Sequence, residues 1–259
     1  MSREWDANSY HRLSDQQFGW GKKVMARVRV RGDETVLDAG CGTGRVTAEL
    51  LERLPRGHVV ALDLSEKMVR SARCELLPRF DGRVSFVVAD VQELPFRECF
   101  DGVFSTATFH WAKDHPRLFR SLYTALNPGG WLVAQCGGGP NLVRLRQRAW
   151  ELLKSPQYAR FFEDWSDPWE FASPEVTADR LRQAGFVEIE TWTEPAGFVL
   201  PDAETFKQYL ATVTLHRHIE RIPQPRLRQE FLDDMARQAS QDPEFTMDYW
   251  RLNINAKRP

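Results

Sequence analysis

The fold is decided by the stretch Val36-Leu37-Asp38-Ala39-Gly40-Cys41-Gly42-Thr43-Gly44-Arg45. An apolar run ends in an aspartate, three alternating glycines follow, and apolar residues then recur at helical spacing from Val46 to Leu54. This pattern predicts a strand, a tight loop and a helix. Glycine permits positive φ and lets a ligand approach the backbone closely, so the loop is a candidate binding loop.

The same alternation of strand and helix patterns continues from about Thr35 to Cys136. After the helix of residues 46–54, short apolar runs lie at residues 59–62, 84–88, 100–104 and 131–134. Ser65 is placed to cap the helix after the second strand, and residues 127–130 predict a turn. Strands that alternate with helices pair in parallel through right-handed crossovers, so we predict an α/β fold with a doubly wound, mostly parallel sheet.

The remaining sequence adds helices and two further strands. We predict a sixth strand over Phe186–Trp192, after a helix that starts at Ser173-Pro174 and ends at Gly185, and a last strand over Trp250–Ala256. The chain is then a single domain, residues 1–259, with four segments: an N-terminal helical preface at 1–34, a binding core at 35–137, and helical cap segments at 138–180 and 201–242.

The composition excludes several classes of protein. Of the 259 residues, 42% are hydrophobic and 27% are charged, an ordinary globular mixture. Lys plus Arg total 35 against 36 for Asp plus Glu, which disfavours a protein that wraps nucleic acid. No apolar run approaches the ~20 residues that span a bilayer, and the first six residues do not resemble a secretory signal. We therefore expect a soluble, cytoplasmic protein without a nucleic-acid or membrane partner.

The cysteines and histidines do not predict a metal site. Cys41, Cys74, Cys99 and Cys136 are scattered and form no C-x-x-C pair, so free, buried thiols are expected. Among the six histidines, His216 and His218 flank Arg217, which is a poor arrangement for one cation.

Three aspartates follow three successive predicted strands: Asp38, Asp63 and Asp90. Each could simply cap the next helix, and a glycine loop by itself fits nucleotide, dinucleotide or purely structural roles. The third glycine, however, comes one residue too early for the dinucleotide pattern G-x-G-x-x-G, and Asp38 would repel a diphosphate. The combination indicates a ligand that carries an ammonium group, a ribose and an adenine amine.

These segments resemble the successive motifs of class I S-adenosylmethionine-dependent methyltransferases: residues 38–44, Asp63, residues 89–91 and residues 126–130. The resemblance implies S-adenosylmethionine as cofactor and a sheet of seven strands with the last one antiparallel. It also implies that Gly40, Gly42 and Gly44 flank the methionine moiety, with Asp38 near its ammonium group.

The resemblance assigns further residues to the cofactor. Asp63 would hold the ribose diol, and Asp90 would accept a hydrogen bond from the adenine amine. The other implied cofactor contacts are Cys41, Leu64, Met68, Thr106 and the backbone N–H of Val91.

The methyl acceptor is predicted from the segment after the fourth strand. His110 is the candidate catalytic base, although it could instead bond to backbone and order its loop, and Trp111 is a candidate wall of the acceptor pocket. This segment and the start of the chain, with Tyr10, resemble the trans-aconitate methyltransferase branch, whose members esterify small polycarboxylates. In that interpretation Arg217 clamps the acid, since a guanidinium matches a carboxylate bidentately; it could equally be an exposed helix arginine.

Three hypotheses for the function stay open at this point. The first is methyl transfer to a carboxylate oxygen of a small molecule. The second keeps the methyl donor and changes the acceptor to a phenol, an amine or a quinone precursor, with His110 as base. The third is a non-catalytic domain that binds the cofactor. The sequence does not determine the oligomeric state.

Overall fold

The computed structural model describes residues 15–241 and 244–259. The strands are β1 Thr35–Ala39, β2 His58–Asp63, β3 Val84–Val88, β4 Phe100–Thr106, β5 Leu126–Gly137, β6 Val187–Pro195, β7 Phe198–Val199, β8 Thr246–Met247 and β9 Trp250–Lys257. The helices are α1 Asp15–Met25, α2 Arg45–Arg53, α3 Glu66–Phe80, α4 His115–Ala125, α5 Val143–Leu153, α6 Pro174–Ala184, α7 Ala203–Tyr209, α8 His216–Arg221 and α9 Pro225–Ala239.

The main sheet has seven strands in the order β3-β2-β1-β4-β5-β9-β6. Strands β3, β2, β1, β4 and β5 pair in parallel, with Asp38 opposite Ala61 and Asp63 opposite Val88. The final strand, β9, runs antiparallel between β5 and β6. The predicted doubly wound α/β fold with an antiparallel last strand is therefore confirmed.

The central strands of the sheet are covered on both faces, which explains why a strand such as β1 is apolar on both sides. Within β1, Leu37 packs with Leu118 and Leu122 of α4, whereas its neighbour Val36 packs with Leu50 and Leu51 of α2. Successive residues of a strand point to opposite faces, so one short run supplies both cores. This double burial fixes the strand ends that carry the candidate site residues.

The predicted helix boundaries at two serines are confirmed. Ser65 Oγ accepts the backbone N–H of Met68 at 3.3 Å and starts α3. Ser173 Oγ accepts the N–H of Val176 at 3.3 Å and starts α6, which ends at Gly185 with φ at +102°. A side-chain oxygen at the first position satisfies an N–H that has no partner within the helix.

The predicted turn at residues 127–130 is instead part of β5. Phe100 pairs with Leu126 and Gly102 with Trp131, so four residues of β5 bulge out opposite Asp101. The bulge keeps strand-like bonding because Gly129 N–H donates to Arg258 O at 3.0 Å and Arg258 N–H donates to Gly130 O at 2.9 Å. The bonds come from Arg258, directly after β9, a partner that sequence spacing does not reveal.

The outer strand β6 is irregular near its start. Glu188 has a φ of +48°, a left-handed conformation that a non-glycine residue rarely adopts in a strand. Its exposed carboxylate pairs with Lys257 of β9 at 2.6 Å. A bent, charged segment therefore lies on this edge of the sheet.

The described residues divide into two compact units. The first comprises 15–139, 169–193 and 252–259, and the second comprises 140–168 and 194–251. The prediction of a single domain with the preface 1–34, core 35–137 and caps 138–180 and 201–242 stays a prediction; residues 169–180 of the first cap belong to the first unit.

The second unit is mainly helical. It contains α5, α7, a π-helical turn at Leu210–Thr214, α8 and α9, with the short antiparallel pair of β7 and β8. Its buried aromatic rings include Tyr158, which packs edge-on against Phe231 at 5.6 Å, and Tyr209, whose hydroxyl lies 3.0 Å from that of Tyr249. In neither unit is any helix of the described residues long and apolar enough to cross a membrane.

Candidate active site

The three predicted aspartates lie at one edge of the sheet. Asp38 is near the carboxyl end of β1, Asp63 is the last residue of β2, and Asp90 follows β3 by two residues. These strands are adjacent and parallel. In open α/β sheets this edge is where ligands bind.

Asp38 is a buried carboxyl group beneath the glycine loop. It is 2% exposed, and its Oδ2 accepts a 2.6 Å hydrogen bond from the Thr47 hydroxyl of α2. Burial raises the pKa of Asp38 to about 7, and nearby Asp63 raises it too, against the lowering effect of the Thr47 bond. A positive charge beside Asp38 would relieve this cost, so the position suits a cationic ligand.

Asp63 fastens the glycine loop to β2. Its Oδ2 accepts the backbone N–H of Gly42 at 3.0 Å, and its Oδ1 accepts the N–H of Ser65 at 2.9 Å. Each carboxylate oxygen has two lone pairs, so Asp63 can accept further bonds from ribose hydroxyls while it keeps these two.

Asp90 is held by Gln92. The Gln92 amide nitrogen donates to Asp90 Oδ2 at 3.1 Å, and its backbone N–H donates to Oδ1 at 2.9 Å. The side-chain oxygen Oε1 of Gln92 accepts a 3.0 Å hydrogen bond from the backbone N–H of Asp114, the residue that caps α4. Gln92 thus joins the loop after β3 to the start of α4.

The glycine loop is preformed by its own backbone bonds. The N–H groups of Gly40 and Cys41 both donate to Leu62 O, at 2.7 and 2.9 Å. Gly42 N–H donates to Asp63, and Gly44 N–H donates to Cys41 O at 3.0 Å. These four amides are engaged inside the protein, unlike the amides of a phosphate-binding loop, which point at the ligand.

The loop glycines have different reasons to be glycine. Gly40, Gly42 and Gly44 have φ of +92°, +54° and +87°. A Cβ on Gly40 would lie 1.9 Å from Thr108 Oγ1, whereas a Cβ on Gly42 would meet nothing within 4 Å. Gly40 is therefore required by packing, and Gly42 faces open space beside the loop.

That open space is a cavity of about 60 Å³ in the first unit. Gly40, Cys41, Gly42 and Thr106, all predicted cofactor residues, line it; the other lining residues are Gln17, Phe18, Thr43, Arg45, Val46 and Ala107. Helix α1 lies against one side of this cavity. Its residues Asp15 and Phe18 both contact Arg45, whose guanidinium is 2.9 Å from the Asp15 carboxylate and 4.4 Å from the centre of the Phe18 ring.

The remaining predicted cofactor residues lie next to the aspartates. Leu64 directly follows Asp63 and is half-buried, and Met68 is buried on the first turn of α3. Val91 follows Asp90 and is buried. All three belong to the first unit, and their contacts with a cofactor stay predictions.

His110 lies on a short 3₁₀ turn, Phe109–Trp111, after β4. Its Nδ1 accepts the backbone N–H of Gly137 at 3.2 Å. An amide nitrogen can only donate, so the neutral His110 ring carries its proton on Nε2. In this state Nε2 is a hydrogen-bond donor, which is the opposite of what a general base requires.

Trp111 belongs to an aromatic cluster, which we define as His110, Trp111, Trp169 and Phe171. The ring centres of Trp111 and Trp169 are 6.0 Å apart, and Trp169 stacks on Phe171 at 5.6 Å. Phe171 in turn lies 5.7 Å from His110, which is 5.3 Å from Trp111. Ala107, at the start of this loop, has a φ of +57°.

The last two predicted acceptor residues are Tyr10 and Arg217. Tyr10 is outside the described residues. Arg217 is half-buried on α8 of the second unit, between His216 and His218. Burial, followed by the charge of Arg217 and of His218, lowers the pKa of His216 to about 3. The role of Arg217 stays a prediction.

Sequence reasoning missed residues that act through the predicted ones. Thr47 holds Asp38, Gln92 holds Asp90, and Thr108 packs against Gly40. Only Gln92 carries a local signal, since a residue two positions after an aspartate often bonds back to it.

Comparison with known proteins agrees with this geometry. A family model described as a methyltransferase domain matches residues 37–134. A trans-aconitate 2-methyltransferase of Deinococcus radiodurans is 30% identical over 227 residues, covering 84% of this chain and 83% of that protein. Another, from an Azoarcus species, is 37% identical over 131 residues, covering 51% and 50%.

A solved structure supports the fold. It is phosphoethanolamine N-methyltransferase 2 of Haemonchus contortus with phosphomonomethylethanolamine and S-adenosylhomocysteine. The likeness has a TM-score of 0.64 at 18% identity and covers 98% of this chain and 57% of that chain.

The fold and the acidic edge of its sheet therefore define an enzyme that transfers a methyl group from S-adenosylmethionine. The chain belongs to the class I S-adenosylmethionine-dependent methyltransferases. Within that family it is similar to proteins named trans-aconitate 2-methyltransferase.

The residues present fit the cofactor. The buried carboxyl of Asp38 suits a cation, and Gly42 borders open space in which a Cβ would meet nothing within 4 Å. Within residues 15–241 and 244–259, no group of three or more His, Cys, Asp and Glu side chains is arranged to hold a metal ion.

Proposed function

We propose that this enzyme methylates a carboxylate oxygen of a small polycarboxylate that resembles trans-aconitate. The bound cofactor supplies a methyl group on a positively charged sulfur. A carboxylate is ionised at pH 7, since its ordinary pKa is about 4, and it can attack without losing a proton. The protein then needs to align the reactants and exclude water rather than supply a base.

The orientation of His110 carries this proposal. Its Nδ1 accepts the Gly137 N–H, so the neutral ring offers an N–H at Nε2. A phenol or an amine acceptor would need a base in the aromatic cluster, whereas an ionised carboxylate needs none. The names of the relatives at 30% and 37% identity support the same acceptor class.

On the cofactor side, we propose the roles that the motifs imply. Asp38 faces the ammonium group, and Asp63 accepts from the ribose hydroxyls while it keeps the Gly42 and Ser65 amides. Asp90, oriented by Gln92, accepts from the adenine amine, and Val91 N–H donates to the ring. Cys41, Leu64, Met68 and Thr106 supply apolar and backbone contact.

On the acceptor side, we propose Trp111 as a wall of the pocket and Tyr10 and Arg217 as groups that bind the acid. The planar guanidinium of Arg217 would bind a substrate carboxylate that is not methylated. Because a polycarboxylate has several acid groups, one can be clamped while another reacts.

We also propose a cytoplasmic location and a small-molecule partner. The expectation of buried thiols is wrong for Cys74 and Cys99, which are exposed. Exposed thiols stay reduced in a reducing compartment.

The acceptor class is tested by a methyl-transfer screen. The full chain is incubated with S-adenosylmethionine and aconitate isomers, citrate, simple dicarboxylates, phenols and amines, and products are identified by mass. A methyl ester is hydrolysed by mild alkali, whereas N-methyl and aryl ether products survive it. We expect alkali-labile products from the polycarboxylates alone.

Two other outcomes would contradict the proposal. Alkali-stable products from phenols or amines would favour the second hypothesis, with His110 as base. Tight binding of S-adenosylhomocysteine without turnover on any acceptor would favour a binding domain. Calorimetric titration with S-adenosylhomocysteine beforehand separates an inactive preparation from either outcome.

A further inference from the structure

The turn that carries His110 and Trp111 is held at two successive carbonyl groups. Phe109 O accepts from the Nε2 of His115, the first residue of α4, at 3.1 Å. His110 O accepts the backbone N–H of Glu170 at 2.8 Å. The position of the turn is therefore set by two elements that are distant in sequence.

A single side chain joins these two anchors. The guanidinium of Arg180, on α6, donates through Nη1 to His115 Nδ1 at 3.0 Å and through Nη2 to Glu170 Oε1 at 3.0 Å. The Arg180 side chain is 23% exposed and that of Glu170 is 33% exposed, so both are largely shielded from water. The fixed fork of the guanidinium sets the distance between His115 and Glu170.

These bonds also select one state of His115. A carbonyl accepts at its Nε2 and a guanidinium donates at its Nδ1, so the ring is neutral with its proton on Nε2. Burial lowers the pKa of His115, and Arg180 lowers it further, while the Phe109 bond, Glu170 and Asp114 act in the opposite direction. The charged groups that face the His115 ring are Arg180, Glu170 and Asp114.

We propose that Arg180 is a positioning residue for the acceptor side of the active site. It fixes His115 and Glu170, and they fix the turn that presents His110 and Trp111. This inference rests on the proposed function, in which that turn borders the methyl acceptor. The guanidinium acts on the turn through His115 and Glu170, so its effect on the acceptor is indirect.

The effect on catalysis follows from alignment. Methyl transfer is an in-line displacement, and a displacement of about 1 Å in such a reaction can reduce the rate by about 100-fold. Without the guanidinium of Arg180, His115 and Glu170 are no longer linked. The bonds to the Phe109 and His110 carbonyls then no longer fix the turn together. The backbone of the cofactor loop bonds to Leu62 and Asp63 instead, so we expect cofactor binding to depend little on Arg180.

The test compares Arg180→Met with Arg182→Met. Arg182 lies on the same helix, and its guanidinium pairs with the exposed carboxylate of Asp179, so it is a matched control. We expect Arg180→Met to lower kcat/KM for the acceptor by about 10- to 100-fold, with the Kd of S-adenosylhomocysteine changed less than about twofold. Arg182→Met should change neither value.

Arg180→Lys is the second variant, and it keeps the charge if Arg180→Met does not fold. A lysine cannot reach both partners with fixed geometry, so we expect it to restore only part of the lost kcat/KM. Equal kcat/KM for the Arg180→Met and Arg182→Met enzymes, or full activity of Arg180→Lys where Arg180→Met is impaired, would overturn the proposed role of the fork.

Nitrogen NMR of the histidine rings provides a readout that needs no acceptor. The His115 signals, assigned by their loss in His115→Gln, should report an Nε2–H ring. In Arg180→Met the titration midpoint of His115 should rise, because the nearby positive charge that lowers its pKa is removed. The Nδ1 signal of His110, which reports its bond to Gly137, should shift in Arg180→Met and stay constant in Arg182→Met.

The two proposals can fail separately. If the wild-type enzyme methylates no polycarboxylate, the proposed function fails, and the His110 signal still decides whether Arg180 positions the turn. An unchanged His110 signal in Arg180→Met would overturn the positioning role even if the enzyme proves to methylate polycarboxylates.

Discussion

The Nδ1 atom of His110 lies 3.2 Å from the backbone nitrogen of Gly137 and accepts a hydrogen bond from its N–H. The bond joins the turn after β4 to the end of β5, so it orders the loop on the acceptor side. It also occupies the single basic lone pair of the neutral ring, which is the one that a histidine base would use.

His110→Ala should therefore reduce kcat by less than about tenfold with a polycarboxylate acceptor, because only loop order and one donor are lost. A general base would contribute about 10²–10⁴-fold. The measurement is kcat at saturating cofactor from pH 6 to 9, where we expect a flat profile for the wild type. A loss above about 100-fold together with a titrating limb near the ordinary histidine pKa would mean that His110 is the base.

Asp38→Asn should separate stability from cofactor binding. The raised pKa of Asp38, about 7, means that the folded state holds a proton that the unfolded state releases at lower pH. Below about pH 4, where Asp38 is protonated in both states, it does not lower the free energy of unfolding. As the pH rises from about 4 to about 7, the unfolded chain releases this proton first, and the free energy of unfolding falls. At pH 8 we expect Asp38→Asn to stabilise the cofactor-free protein by roughly 1–3 kcal/mol and to weaken S-adenosylhomocysteine binding. Thermal unfolding and calorimetry check both; a lower Tm with unchanged Kd would contradict the assignment.

The pH dependence of binding follows from the same carboxyl group. A cationic ligand prefers ionised Asp38, so wild-type binding should weaken as the pH falls below about 7 and should release a proton there. Calorimetry in two buffers of different ionisation enthalpy measures that proton. Asp38→Asn should abolish the proton release; its persistence in this variant would assign it to another group.

Asp63→Ala should weaken S-adenosylhomocysteine binding by roughly 1.5–3 kcal/mol, the range for hydrogen bonds to a charged group. The variant also frees the amides of Gly42 and Ser65, so a small fall in Tm is expected. Glu66→Ala is the matched control, since Glu66 is the next acid in the chain and pairs with exposed Arg70. An equal Kd for the two variants would mean that Asp63 only fastens the loop.

Gly42→Ala tests whether the space beside the loop holds the cofactor. Gly42 and the remote turn residue Gly82 both have positive φ, at +54° and +77°, and a Cβ on either meets nothing within 4 Å. Each alanine variant should lose about 1–2 kcal/mol of stability from backbone strain alone. Only Gly42→Ala should lose cofactor binding, by calorimetry; if Gly82→Ala binds equally poorly, strain rather than contact is responsible.

Much of the fold could be predicted because its signals are local. The run of residues 36–45 fixes a strand, a loop and a helix, and Ser65 and Ser173 mark helix starts through bonds three residues away. The aspartates could be placed at one edge because parallel strands share their carboxyl ends. Alternation of apolar and polar residues predicts the strands β6 and β9, and the family motifs imply the antiparallel direction of the last one.

The rest depends on neighbours that spacing does not encode. The bond from Thr47 to Asp38 and the fork of Arg180 on His115 and Glu170 arise only after helices pack on the sheet. The segment at residues 127–130 has the sequence of a turn, and its bonding partner, Arg258, lies at the far end of the chain. The His110 tautomer likewise depends on Gly137, 27 residues away.

The kink at Glu188 bears on how copies of this enzyme behave when crowded. A straight edge strand exposes unpaired amides and carbonyls, with which a strand of a second molecule could form hydrogen bonds. Here the left-handed residue Glu188, whose exposed carboxylate pairs with Lys257 of the inner neighbour β9, interrupts the ladder. This interruption disfavours growth into a continuous intermolecular sheet at this flank.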